Sequence, residues 1–215
     1  MNKNGFVLKK YIATLSALFM ILSCVEITPV SADEPHFISV LNETAANVLT
    51  STPNPSVGYM GGEWAIIGLS RSEFDVGDGY FNIYADNLKK TIDEKQGVLD
   101  SRKNTEYSRV ILAMSAISKD AQNADGYNLT EPLLDFDKTV SQGINGAIWA
   151  EIALNSRPFK TDSAGISQVC EKYVDYILSN QLSDGGWAFG EAESSDVDLT
   201  AMALCALAKH RADEK

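Results

Sequence analysis

Histidine is almost missing from this chain of 215 residues, occurring only as His36 and His210. Zinc sites gather His and Cys ligands at short spacing. With no such cluster, the sequence offers neither a metal centre nor a metal cofactor, and no other cofactor signature is present. Cysteine is as sparse. Of three, Cys24 lies in the N-terminal segment, leaving Cys170 and Cys205. Both sit among apolar neighbours, so two buried free thiols are expected rather than a bridge. Basic residues are outnumbered 18 to 29, for a net charge of −11. A surface of that sign repels phosphate backbones, which excludes nucleic acid as a partner. Strand-period alternation is absent after the N-terminal segment, so no sheet is expected.

Long apolar runs are missing too, except at the start. Lys3, Lys9 and Lys10 precede or open an apolar stretch from Ile12 to Val25. That order of charge then apolar run is the order of a secretory signal. Val30-Ser31-Ala32 after Pro29 supplies a small-residue cleavage site, so residues 1–32 are read as a signal peptide and 33–215 as one exported domain. Ile21-Leu22-Ser23-Cys24 also fits a lipobox, the alternative in which a lipid on Cys24 tethers the chain. The run is short for a bilayer crossing and is soon followed by Glu26 and Pro29. A secreted or cell-surface protein with no membrane span after signal cleavage is therefore expected.

What remains is helical in pattern, and the helices are of two kinds. Phe37, Leu41, Ala45 and Val48 form one apolar stripe at helical spacing, as do Tyr80, Tyr84, Leu88 and Ile92. Ile166, Val169, Cys170, Tyr173 and Ile177 make a third, and Leu133, Phe136 and Val140 a shorter one. Between them lie segments apolar on nearly every side, at 64–69, 110–117, 148–154 and 199–208. One stripe needs one neighbour, whereas an all-round apolar helix must be covered everywhere. Strict alternation therefore predicts an all-α fold, an outer layer wrapped round an inner one in about four hairpins. Gly68, Ala116, Ala153 and Ala206 align along the inner segments, where small residues let helices approach closely. Gly61-Gly62, Gly77-Asp78-Gly79, Asp125-Gly126, Arg157-Pro158 and Asp184-Gly185-Gly186 mark the joints.

Residues 180–208 carry two motifs. Gln181, Gly185 and Trp187 spell Q-x-x-x-G-x-W, and Asp196, Asp198, Thr200 and Ala201 spell D-x-D-x-T-A. They resemble the repeat of the squalene/terpenoid-cyclase and protein-prenyltransferase family, whose members are α/α toroids. The resemblance implies a partial α/α toroid, with about four hairpins against the family's six, and so a domain incomplete at its C-terminal end. It also implies candidate catalytic acids. In the cyclase motif D-x-D-D-T-A the second Asp protonates an alkene, which maps onto Asp198 with Asp196 beside it. Leu199 stands where the last Asp of that motif would be, which weakens the acid site. Prenyltransferase zinc chemistry is set aside, because no His lies near 198–205.

In such a barrel every loop from an outer to an inner helix emerges at one rim. That collects Tyr59, Met60, Glu63 and Trp64, then Asn104, Glu106 and Tyr107, then Gln142 and Asn145, then Trp187, Phe189, Asp196 and Asp198. An aromatic and acidic concavity suits an apolar cation, a sugar or another small molecule. The candidate ligand-binding rim is Glu63, Trp64, Glu106, Tyr107, Asn145, Trp187 and Phe189. The same acids suit helix N-termini, Asp196 or Ser195-x-x-Asp198 suits a cap, and Asp-Gly-Gly-Trp suits a turn with a packing indole. The expected function is an exported, non-catalytic binding module for a small molecule or a surface ligand. The alternatives are a squalene-hopene-like cyclase acting through Asp198, and a glycan-acting α/α barrel. The last would take an acid pair from Glu63, Glu106, Glu151 and Asp198.

Overall fold

A computed structural model describes residues 34–58, 61–77, 79–159 and 163–211. The segment read as a signal peptide, with its expected cleavage site, and Tyr59, Met60 and Asp78 lie outside the described residues. The chain divides into two compact units, 1–40 and 41–215. Of the first, only residues 34–40 are described, the opening turns of α1 (Glu34–Ser51), where Phe37, Ile38 and Val40 are exposed.

The described residues form eight α-helices and no strand, with two isolated β-bridges, Ala124 with Tyr127 and Trp187 with Asp196. After α1 come α2 (Gly62–Arg71), α3 (Tyr80–Glu94), α4 (Thr105–Ala116), α5 (Phe136–Val140), α6 (Ile144–Leu154), α7 (Ser163–Ser179) and α8 (Val197–Leu207). Short 3₁₀ turns occupy Ala121–Asn123, Glu131–Leu134 and Ala208–His210.

The two kinds of helix separate as their patterns require. α3 buries Tyr80, Tyr84, Leu88 and Ile92 and turns Asp86, Lys89, Lys90, Asp93 and Glu94 to solvent. α7 buries Ile166, Val169, Cys170, Tyr173, Val174 and Ile177 along one side. α6 is buried nearly all round, through Ile144, Ala147, Ile148, Ala150, Ala153 and Leu154. Ile144, Ile148 and Leu154 each contribute about 1.5–3 kcal/mol by leaving water, and each alanine methyl about 0.8 kcal/mol. The apolar helices then form a row: α2 packs on α4, α4 on α6, and α6 on α8. α3 lies against α2, α5 against α6, and α7 against both α6 and α8.

Polar ties set the register of the row. The Asn104 amide, fully buried, donates to Thr139 Oγ1 and to the Pro132 carbonyl, both at 2.8 Å. Gln142 exchanges bonds with Thr105, and Ser115 Oγ meets Ser156 Oγ at 2.8 Å. Tyr173 donates from α7 to the Leu133 carbonyl at 2.6 Å. At the start of α2, Gly62 admits the preceding loop, since a Cβ there would lie 2.0 Å from the Ser56 carbonyl oxygen.

Three expectations need correcting. Cys170 is buried but Cys205 is exposed, and both are free. An all-round apolar helix at the end of a row has a flank that nothing described here covers, and Cys205 belongs to such a helix. Ala153 and Ala206 are buried as predicted, but Gly68 is exposed with open space beyond it. It is not a point of close helix approach. Phe37 does not join the buried stripe of α1, which keeps Ala45.

Candidate functional site

The motif segment between α7 and α8 is a tied loop. Leu182 N–H donates to the Gly186 carbonyl at 2.8 Å and Gly185 N–H to that of Leu182 at 2.9 Å, closing the turn. Gln181 Nε2 caps it from outside by donating to the Gly185 carbonyl at 2.7 Å. Trp187 swings inward, 2 % exposed, and its indole N–H donates to the Ile177 carbonyl of α7 at 2.7 Å. Its own carbonyl accepts from Asp196 N–H at 2.8 Å, and its N–H donates to Thr200 Oγ1 at 3.0 Å. Asp184 accepts from Ser195 N–H at 2.9 Å and from Gly186 N–H, which holds its carboxyl below the usual range. A Cβ on Gly186 would sit 2.4 Å from Ser195 Cβ, so only glycine fits between the two runs.

The two aspartates of D-x-D therefore do different things. Asp196 is the N-cap of α8, accepting from Leu199 N–H at 2.7 Å. Asp198, two residues later, is exposed beside Val197 in the first turn of α8, where its charge suits the helix dipole. Phe189 is 58 % exposed on the loop itself. Alkene protonation calls for an acid shielded from water, and neither carboxylate is shielded among the described residues.

Further along the same rim, most candidates are spent on packing. Glu63 is 1 % exposed; its Oε1 accepts from Gly58 N–H at 3.0 Å and its Oε2 lies 3.6 Å from Arg109 Nε. Burial pushes its carboxyl up, against the downward pull of that N–H and the guanidinium. Arg109 also pairs with Glu106 on its own helix, and so holds two acids at once. The Tyr84 hydroxyl is buried nearby in charge terms, and burial followed by the Glu63 charge raises it well above the usual phenol range. Tyr107 is buried with its hydroxyl accepting from Leu99 N–H at 3.0 Å, which anchors the loop before α4. Asn145 is half-buried.

Trp64 is different. It is 45 % exposed on α2, and its ring meets that of Trp149 on α6 edge to face, with centroids 5.4 Å apart and an interplanar angle of 61°. α4 packs against both helices and stands between them in the row. The two indoles thus meet across the helix that holds Glu106 and Arg109. The sequence reading missed Trp149 because α6 is apolar on every side. Its faint signal is the spacing of Asn145, Trp149 and Ile152, the half-buried strip of an otherwise buried helix.

Glu151 does not join the other acids. It lies near the C-terminal end of α6, fully buried, with Oε1 accepting from Asn155 Nδ2 at 2.6 Å and 3.1 Å from His210 Nε2. Burial raises its carboxyl, partly offset by His210 and the Cys170 thiol. The Cys170 thiol is itself pushed far up by burial and by the Glu151 charge. A protonated, buried thiol is a poor nucleophile, so this group ties α6, α7 and the end of α8 together rather than supplying a Cys–His pair. Among the described residues no three His, Cys, Asp or Glu side chains are grouped to hold a metal ion, and no helix is long and apolar enough to cross a membrane. No protein-family model matches the chain, and no curated protein or solved structure matches it either.

Proposed function

We propose that this chain is an exported binding module of the partial α/α-toroid type, without catalysis, which takes its ligand on the side of the inner row where the two indoles meet. The observation that carries the reading is the half-exposed Trp64–Trp149 pair. An indole of that exposure forfeits burial energy in the free protein, and a flat apolar or cationic ligand would recover it. Two acids and one guanidinium on the rim, Glu63, Glu106 and Arg109, leave the neighbourhood net negative. The toroid part of the proposal is supported by the succession α2, α4, α6, α8 and by the contact between indoles two helices apart, which a row curving round would favour. Non-catalysis rests on the motif segment, where Asp184, Gly186, Trp187, Asp196 and Thr200 are all engaged in closing a loop and capping a helix. Export rests on the charge and apolar order of residues 1–32.

The test is a fluorescence titration with short polyprenes, oligosaccharides and a quaternary ammonium compound, alongside incubation with squalene and mass spectrometry. One ligand class is expected to quench the emission, with affinity lost at least tenfold in Trp64→Ala and in Trp149→Ala while both variants stay folded. No cyclic product is expected. A product that disappears in Asp198→Asn would replace this reading with acid catalysis.

A further inference from the structure

A cleft of about 360 Å³ opens in the middle of the chain, within the range of about 300–1,000 Å³ usual for small-molecule sites. Its walls include residues 96–98 after α3, and Tyr127 and Asn128 in the connection that follows α4. Glu131, before α5, and Lys138, within it, close the other side. Tyr127 is set into this cleft as a fixed ring. Ala124 N–H donates to the Tyr127 carbonyl at 2.9 Å and Tyr127 N–H to the Ala124 carbonyl at 3.1 Å, round the turn Asp125-Gly126. The ring lies on the backbone of Gly97, where a Cβ would come within 2.3 Å of its Cδ1 and 2.8 Å of its Cε1. Any larger residue at 97 would displace it. Gly97 also holds a φ of 81°, and its N–H closes α3 by donating to the Ile92 carbonyl at 2.9 Å. The ring stays 36 % exposed, beside Val98 at 51 %. An aromatic side chain held in this way offers apolar contact area at little entropic cost on binding.

Around the ring stand polar groups that the protein does not spend on itself. Asn128 Oδ1 accepts from Thr130 N–H at 3.1 Å and from Thr130 Oγ1 at 2.7 Å. That turn fixes the amide and leaves its two N–H donors without a partner among the described residues. The Gln96 amide, the Glu131 carboxylate and the Lys138 ammonium make no hydrogen bond or ion pair among them either. Asp135 is also in the wall, but it caps α5 by accepting from Lys138 N–H at 3.1 Å. Donors and acceptors thus surround one apolar face. A hydrocarbon there would strip water from these groups and give nothing back. An anion would face Glu131 and Asp135, and a cation would face Lys138. A neutral sugar meets neither objection, because its hydroxyls donate and accept alike while its C–H face is apolar and suits an aromatic ring.

We infer that the cleft at Tyr127 binds a neutral sugar unit of an oligosaccharide. Tyr127 lies under the C–H face of the sugar, and Gln96, Asn128, Glu131 and Lys138 serve its hydroxyls. The site goes beyond the ligand reading above, since it shares no residue with the Trp64–Trp149 pair or with Glu63, Glu106 and Arg109. Tyr107, expected on the rim, instead lines this cleft with its ring while its hydroxyl ties down Leu99.

The experiment is calorimetric titration of the full chain with maltotriose, cellotriose and chitotriose, and with sialyllactose as the acidic comparison. Saturation-transfer NMR reads the same mixtures where binding is weak. The variants are Tyr127→Ala, Tyr127→Phe, Glu131→Ala and Trp64→Ala, and thermal melting checks that each folds. At least one neutral trisaccharide is expected to bind, and sialyllactose more weakly. Affinity is expected to fall roughly tenfold in Tyr127→Ala, where the stacking face is gone, and to stay within about threefold in Tyr127→Phe, where it remains. Glu131→Ala is expected to bind several-fold more weakly and Trp64→Ala like the wild type. Should Tyr127→Ala fail to fold, exposed Glu131 carries the same test. Three results overturn the inference: no binding of any neutral trisaccharide, binding that survives both Tyr127→Ala and Glu131→Ala, or binding lost in Trp64→Ala. The last would assign the sugar to the indole pair.

Discussion

Trp187 and Trp64 were grouped by sequence as rim aromatics, yet the structure gives them opposite work, and that contrast is measurable. Trp187→Ala empties a site that is 2 % exposed and removes the 2.7 Å bond to the Ile177 carbonyl. Truncating a buried aromatic costs about 3–5 kcal/mol through lost transfer energy and the cavity left behind. The Ile177 carbonyl still accepts from Asn180 N–H at 3.2 Å, so no orphaned acceptor adds to the cost. For a domain of this size 1 kcal/mol moves Tm by about 2–4 °C, so a fall of roughly 6–20 °C is expected. Trp64→Ala, on a ring already 45 % exposed, gives up only part of a core indole's burial energy besides an edge-to-face contact worth about 0.5–1.5 kcal/mol. Its Tm is expected to fall by less than that of Trp187→Ala. Urea melts followed by circular dichroism at 222 nm, read beside the thermal curves, decide the matter. If Trp64→Ala proves the more damaging, or Trp187→Ala melts like the wild type, the division of roles argued above is wrong.

Asp196→Ala removes the N-cap of α8 and is expected to cost about 1 kcal/mol, while Asp198→Ala, two residues on and exposed, is expected to fall within about 0.5 kcal/mol of wild type in the same urea melts. Ala153→Glu and Ala206→Glu each place an unpaired charge between packed helices; with stability of about 5–15 kcal/mol in hand, several are lost and soluble folded protein is not expected on expression. The buried Glu151 carboxyl has its folded pKa raised above the ordinary 4.5. Its contribution to stability is therefore full below the ordinary value and is lost as pH rises through the raised one. Glu151→Gln is expected to gain on the wild type between acidic and neutral pH, and a parallel pair of stability–pH curves would refute that sign.

Helix type and order were plain in the sequence, because an apolar stripe and an all-round apolar run demand different surroundings, and 80–94, 144–154 and 163–179 fell where those demands put them. The chemistry of the rim was harder to read. Glu63 and Asp198 look alike as acids in the first turn of an inner helix, but Glu63 is roofed by Gly58 and paired with Arg109 while Asp198 is bare. That difference arises from the loop before each helix, and no periodicity encodes it. Cys205 and Gly68 were misplaced for a related reason. Hydropathy says that a helix wants to be covered, and says nothing about whether a neighbour stands on every side. Trp149 was lost inside a helix whose apolar residues point in all directions, so that no face stood out. The D-x-D and G-x-W motifs were legible as a turn and a cap, the roles that Asp184, Trp187 and Asp196 fill.

The loop between α7 and α8 is clasped at its foot. Ser195 N–H reaches Asp184 and Asp196 N–H reaches Trp187, so residues 188–194 project beyond a closed base, exposed at Phe189, Gly190, Glu191, Ala192, Glu193 and Ser194. Strain or slack in that projection stops at the clasp and does not reach the indole beneath it. Evolution is thus at liberty to lengthen, shorten or rewrite the tip while the core keeps its shape, and an engineer has the same freedom. A peptide epitope grafted between Ala188 and Ser194, or a single protease cut there, would leave α8 seated in its row.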